Sequence, residues 1–500
     1  MSCYLGIDVG TSAVKAIIVD GQQRSIAEAT TLLEISRPQS LWSEQDPEAW
    51  WLAVQASVQQ LRTLAPAAFG SIRALGLSGQ MHGAVLLGED SLPLRPAILW
   101  NDGRSFQEAE ELGHAHPGLS KRLGVIPMSG LMAPKLLWLA RHEPGTFRAT
   151  RKVLLPKDYI RLRLTGSCVT DMSDAAGTWW LDEAARDWSD EALAATGLDR
   201  SHMPELVEGS APSGLLQPEI AREWGMRSDV VVAGGAGDVA AGAVGLGAIN
   251  DGAGFISLGT SGQLFVTTRH FSPAPEALVH SFCHALPNRW FQMAAMLNGA
   301  SCLAWAAGLL KTDIDELLCA TEAAYRGPAS LLFLPYLAGE RTPHNDPYAR
   351  GVYFGLSPET QQTDLIQAVL EGVAFSFADA KACLELAGTR LTCAGLIGGG
   401  SRSVFWAQIL ANVLNIPLVR YQGGDKGPAF GAARLARMAA TGEAPETLCS
   451  QPAVLGVVEP EARLADLYAT RIEQFRRLYG ALKPEFKSAA AGVAAPNRCP

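Results

Sequence analysis

The sequence predicts an α/β protein of two related halves, and three observations carry that expectation. A Gly-Thr-Ser turn occurs twice between apolar β runs, in "GIDVGTSAVKAIIV" and "GFISLGTSGQLFV", so Gly10, Thr11 and Ser12 return half a chain later as Gly259, Thr260 and Ser261. Strand-like runs alternate with helix-like ones in both halves. With 500 residues, the chain is long enough for two domains, each with a core of its own.

The elements follow in order. Ile7 and Val9 lead into the first turn and Val14 to Val19 lead out of it, which predicts a hairpin. "DPEAWWLAVQASVQQL" (46–61) predicts a helix capped by Asp46, with Pro47 in its first turn. "IRALGLSGQMHGAVLL" (72–87) reads as a buried strand, a Gly-rich turn and a second strand. "VVVAGGAGDVAAGAVGLG" (230–247) reads as a strand running through a Gly-rich turn into a small-residue helix, and "INDGAG" marks a junction near 250. We expect one domain over 1–247 and a second over 254–485, which the hairpin of 254–266 opens. A helix over 365–388 follows, then a strand, triple-Gly loop and helix over 391–414. The Ala-rich, patternless residues 486–500 are expected to be a disordered tail.

Composition excludes several classes. The hydrophobic fraction of 48% and charged fraction of 18% are those of an ordinary globular protein, and a net charge of −9 argues against general nucleic-acid binding. No basic and apolar leader opens the chain and no apolar run reaches about 18 residues, so neither a signal peptide nor a membrane span is expected. Nine cysteines without a CxxC pair fit reduced thiols in a cytoplasmic protein. The cluster His280, Cys283, His284 has no distant partner pair and is expected to pack rather than hold a metal.

The chemistry begins at Asp8. A turn of Gly, Thr and Ser exposes N–H and hydroxyl donors that attract anions, and a bare carboxylate beside it would repel them unless a cation stood between. Two such turns facing each other would grip a polyphosphate, with Asp8 holding Mg²⁺ through water. In the second copy Ser257 replaces Asp8. The strand, Gly-rich loop and helix near 398 form a further phosphate- or nucleotide-edge arrangement.

These motifs resemble those of the FGGY carbohydrate kinases of the actin, heat-shock chaperone and hexokinase superfamily. "GIDVGTS" is similar to the first phosphate motif, "ISLGTSG" to the second and "GLIGGGSRS" to the adenosine motif. The most specific pieces are "SGQMHGAVLL", "LWNDGRS", "LPKDYIRLRLTG", "DMSDAAGTWWLD", "HSFCHALP" and "GERTPHNDPYARGVYFGL", which are closest to the family's kinases of D-xylulose. The resemblance implies two ribonuclease-H-like (actin-like ATPase) domains with a ligand cleft between them. It also implies ATP- and Mg²⁺-dependent phosphorylation of the terminal hydroxyl of D-xylulose, in xylose metabolism.

Carried over residue by residue, it makes Asp238 the proton acceptor and places Asp8, with Asp238, at the metal. Met81, His82 and Asp238 become sugar contacts. Gly10, Thr11, Ser12, Lys15, Gly259, Thr260, Ser261, Gly398, Gly399, Gly400 and Ser401 hold the nucleotide. Chemistry agrees: an alkyl hydroxyl is too weak an acid to ionise beforehand, so a carboxylate should orient it and take its proton late. Asp238 could also cap the helix that follows, His82 could be a core histidine, and Met81 could be packing. Trp100, Asn101, Asp102 and Arg104 offer polar groups to a sugar or brace the cleft loop, and the aromatics of "WSEQDPEAWW" are expected in the core. One departure stands out. Many kinases of xylulose in the family carry Asn or Gln after the catalytic aspartate, whereas Val239 here is expected to present an apolar patch to the sugar and loosen discrimination. Rival readings are a kinase of another ketopentose, gluconate, glycerol or a polyol on this fold, and a chaperone- or actin-like ATPase. The sequence leaves the oligomeric state open, a homodimer included.

Overall fold

Each half is built on one mixed sheet that starts from its Gly-Thr-Ser hairpin. In the computed structural model, which describes residues 2–422 and 427–493, β1 (Cys3–Val9), β2 (Ala13–Asp20) and β3 (Ser25–Leu32) pair antiparallel in sequence. Helix α1 (Pro47–Leu64) follows, with the Asp46 side chain accepting from the Glu48 N–H at 3.0 Å as its capping residue should. Strand β4 (Ile72–Gly79) lies parallel to β1 on its other side, after which α2 (Pro156–Thr165) leads to β5 (Pro212–Leu215), β6 (Val231–Ala233) and the short β7 (Ala236–Gly237). The sheet order is β5-β6-β4-β1-β2-β3, with β7 extending the line of β6 along β4. Helix α3 (Asp238–Leu246) ends at Gly247, whose φ of +75° is the left-handed stop that glycine provides.

The second half repeats the plan. Strands β8 (Gly254–Leu258), β9 (Gly262–Thr268), β10 (His280–Cys283) and β11 (Trp290–Met296) are antiparallel neighbours in the order β10-β11-β9-β8. On the far side of β8 come β12 (Ala394–Ile397) and β13 (Leu418–Tyr421), both parallel, then antiparallel β14 (Val454–Val458). Helices α4 (Gln362–Leu386), α5 (Val404–Leu414), α6 (Gly427–Thr441) and α7 (Ala465–Val493) complete it. The repeat extends to register: Asp8 faces Lys15 on β2 as Ser257 faces Gln263 on β9. Helix α7 continues past residue 486, where Ala-rich composition had suggested fraying; residues 494–500 lie outside the described residues. Alanine favours helix, so a run without an apolar face still extends a helix already begun.

Helix α6 joins the halves. It follows the second half's β13 in sequence yet lies on the first half's sheet, where Phe430, Ala433 and Ala436 pack with Tyr4, Ile17, Val19 and Ala74. Glycines permit the approach. A Cβ on Gly6 would stand 1.9 Å from the Ala429 carbonyl oxygen, one on Gly76 2.0 Å from that of Ala432, and one on Gly431 1.8 Å from that of Ala241 in α3. Arg434 ties the seam with hydrogen bonds to the Val244 carbonyl and the Gln23 side chain, each 2.8 Å. A hydrophobic cluster shared by α3, β8, β9 and the C-terminal part of α6 runs beneath the junction.

Candidate active site

The sheet face that α6 covers at Gly6 and Gly76 continues to Asp8 and its neighbours Ser78 and Lys15, because alternate residues of a strand share a face. Asp8 therefore stands two residues beyond the glycine contact, near the strand end. Its Oδ1 is buried with no hydrogen-bond partner. Burial raises its pKa to about 6, and the Ser78 hydroxyl and Lys15 ammonium nearby offset only part of that. Asp238 opens α3, held at the tip of β7, with its Oδ1 accepting the Val239 N–H at 2.8 Å. Its pKa rises to about 7, first through burial and then through the negative charge of Asp8. The charge of Asp8 thus opposes ionisation of Asp238, an opposition that a cation nearby would relieve.

Two cavities lie in this part of the molecule, and Asp238 lines the smaller. The smaller, about 230 Å³, is lined by Asp238, Val239, Ser257, Gln263, Gly398 and Gly427 among others, and so brings the Asp238 turn to the second hairpin and the triple-Gly loop. Gly398 has φ +87°, and a Cβ there would stand 2.7 Å from the Leu258 carbonyl, which is how the loop closes onto the end of β8. The larger, about 830 Å³, is lined from the first half by His82, Trp100 and Asn101 and from the second by His280, Glu340 and Arg341. Met81 packs against the turn before Asp238, so closely that a Cβ on Gly237 would meet its sulfur at 2.9 Å.

His82 has φ +67°, and its Nδ1–H donates to the Gly177 carbonyl at 2.7 Å, which leaves Nε2 as an acceptor. Burial, then the Lys135 charge, lowers its pKa to about 3, so the ring is neutral. Lys135 is itself fully buried, its Nζ donating to the carbonyls of His82 (2.8 Å), Gly130 (2.9 Å) and Ile98 (3.3 Å). It thereby fixes the backbone that presents His82.

Residues 3–245 match the N-terminal domain of the FGGY family of carbohydrate kinases, and residues 254–440 match its C-terminal domain. The chain belongs to the FGGY family of carbohydrate kinases. It is 49% identical to the xylulose kinase of Escherichia coli (strain K12) over 484 residues, which cover 96% of this chain and 99% of that one. The crystal structure of a xyloylose kinase from Brucella ovis superposes with a TM-score of 0.93 at 48% identity, covering 96% and 99% of the two chains. A gluconate kinase from Lactobacillus acidophilus superposes with a TM-score of 0.91 at 26% identity over 97% of this chain and 99% of its own. Both sheets of this FGGY kinase thus belong to a two-domain actin-like ATPase fold, and it is a phosphotransferase; kinases of its family use ATP.

Several residues of this FGGY kinase take places other than those expected. Arg104 leaves the set of sugar contacts: its side chain is 1% exposed, paired with Asp102 and Glu44 (2.7 Å each) and stacked over Trp42. Asp102 also accepts the Ser43 N–H, so the pair braces the loop. Met81 is packing, 5% exposed. Val239 borders the smaller cavity beside Ser257 and Gly398 and not the cavity of His82 and Trp100, because a helix begun at Asp238 turns the next side chain by about 100°. Asp238 lines that same cavity, so Val239 stays beside the carboxylate while lying apart from His82 and Trp100.

Thr11 is scaffolding, since its hydroxyl accepts from the Trp100 indole and donates to Gln80 while its carbonyl accepts from Gln45. Gly10, Thr11 and Ser12 border neither cavity, with Ser12 exposed. The Lys15 ammonium pairs with Glu28 at 3.0 Å. In the second half Thr260 is exposed, Ser261 half-buried, and the Ser401 hydroxyl donates to the Gly398 carbonyl at 2.6 Å. Gly399 has open space around it, whereas a Cβ on Gly400 would meet Leu258 and one on Gly259 would only touch its own turn. Sequence reasoning missed His280, set aside as packing, and Arg341 and Lys135. "HSFCH" and "GERTPHND" were noticed as motifs, but only the closure of the second half onto the first brings His280 and Arg341 to the cavity of His82.

Proposed function

We propose that this protein transfers the terminal phosphoryl group of ATP to the terminal hydroxyl of D-xylulose, giving D-xylulose 5-phosphate. The observation that carries the reading is Asp238, its carboxyl raised by burial and by the charge of Asp8, on the wall of a cavity that it shares with Ser257 and Gln263 of the second hairpin and with Gly398 of the Gly-rich loop. The likeness to xylulose kinases over nearly the whole chain supports the choice of sugar. In this reading Asp238 accepts the hydroxyl proton late in transfer, when the oxygen has begun to bond to phosphorus. His82 Nε2 accepts from a sugar hydroxyl, and Trp100 and Asn101 shape the same wall. Gly398 and Gly399 give the nucleotide close access to backbone, and Ser257 and Gln263 line its phosphate end.

The residues fit Mg²⁺. Asp8 offers an unpartnered buried oxygen, and two mutually repelling carboxylates suit an ion that keeps several waters and takes the rest of its oxygens from substrate phosphates. Bound there, Mg²⁺ would neutralise the charge that builds on the transferring phosphates. Asp8→Ala should lower Mg²⁺-supported turnover by about 10²-fold while sugar binding, measured by calorimetry without nucleotide, stays nearly unchanged. Loss of sugar binding with intact Mg²⁺–ATP binding would contradict the placement.

One observation favours a second reading. Arg341 makes no side-chain hydrogen bond or ion pair among the described residues; it lies 5.5 Å over the Trp100 ring and borders the larger cavity. A free guanidinium there would suit an acidic acceptor such as an aldonate.

A further inference from the structure

The motifs "LPKDYIRLRLTG" and "DMSDAAGTWWLD" supply no group assigned above to sugar, nucleotide or metal, yet they meet at the turn that leads into Asp238. Lys157 on α2 is fully buried and pairs with Asp158 (2.6 Å), Asp171 (2.8 Å) and Asp174 (3.1 Å), each likewise inaccessible. Asp171 Oδ2 accepts the N–H of Ser173 at 2.8 Å and its hydroxyl at 2.5 Å. The Ser173 oxygen in turn accepts the N–H of Gly237, the residue before Asp238, at 3.2 Å. From the other side Arg161 donates to the carbonyls of Ala233 (2.5 Å) and Gly234, so the turn that delivers Asp238 is held at both ends.

We propose that the buried chain Lys157–Asp171–Ser173 is a positioning device that sets the Gly237–Asp238 backbone for proton acceptance. A core that needed only to be filled would use apolar groups, since burying charges costs more than their attraction commonly returns. Here Lys157, Arg161 and three aspartates sit where no solvent reaches, and the chain leads to the backbone N–H of the residue before the proton acceptor. Three carboxylates around Lys157 outweigh its burial and keep the ammonium charged, and its 2.8 Å contact with Asp171 fixes that side chain as the acceptor that orients the Ser173 hydroxyl. Ser173 then has one lone pair aimed at Gly237 and its proton on Asp171, so the turn has one favoured setting.

The inference rests on Asp238 being the proton acceptor, and a double-mutant cycle separates the two claims. Ser173→Ala should lower kcat by about tenfold with KM for ATP unchanged, and lower it less than twofold in the Asp238→Asn background, where no proton acceptor remains to be positioned. Ser173→Cys keeps the volume with a weaker hydrogen bond and carries the same cycle if Ser173→Ala does not yield folded protein. An unchanged kcat, or an equal loss in both backgrounds, overturns the positioning role alone. Full turnover in Asp238→Asn itself overturns the proton acceptor and the positioning role with it.

Discussion

Asp238→Asn should leave folding and ATP binding intact and lower kcat by at least about 10²–10³-fold, the range expected for a positioned proton acceptor. Asparagine matches the carboxylate in shape and keeps an oxygen for the Val239 N–H, so the start of α3 should survive. What disappears is the group able to take a proton, at a site where burial and the Asp8 charge raise the carboxylate's affinity for one. The substitution also removes the repulsion on Asp8, so metal-dependent nucleotide binding should not weaken in proportion to turnover. Near-normal kcat in this variant would reduce Asp238 to a helix cap.

Gly431→Ala should destabilise the protein by about 3 kcal/mol, the upper end for overpacking, seen as a Tm lower by about 5–10 °C. The added methyl would lie 1.8 Å from the Ala241 carbonyl oxygen and 3.0 Å from the Gly245 nitrogen, both backbone, so no side-chain rotation relieves it. Since α3 carries Asp238, the displaced helix should also lower kcat. Gly480→Ala is the control: it too lies inside a helix, but nothing stands within 4 Å, so helix propensity should leave stability unchanged or slightly raised. Equal behaviour of the two variants would mean that the seam tolerates movement.

What could be read from the sequence was local. Turn chemistry gives both hairpins, and the match of Asp8 to Ser257 shows that only the first carries a carboxylate. Proline and aspartate at 46–47 announce α1, and glycine spacing announces the loop at 398. What escaped depends on contacts between distant segments. Helix α6 reads as an ordinary Ala-rich helix, and nothing near it says that Gly6 and Gly76, close to the other end of the chain, are its floor. Arg104 resembles a cleft residue until Glu44 and Asp102 are seen to hold it. Val239 lines the smaller cavity with Asp238, as adjacency in sequence suggests, but that His82 and Trp100 belong to another cavity depends on contacts between distant segments. His280 and Arg341 enter the site only through the packing of one half on the other.

The most direct test is ATP turnover by the purified protein with D-xylulose, D-ribulose, D-gluconate, glycerol and a pentitol in turn, and with no acceptor. D-xylulose should give the highest kcat/KM, with one ADP formed per sugar phosphate and only slow hydrolysis in its absence, because the site closes, excludes water and becomes complete only when the sugar is bound. Full-rate ATP hydrolysis without any acceptor, or a preference for D-gluconate at the Arg341 side of the cavity, would contradict the account.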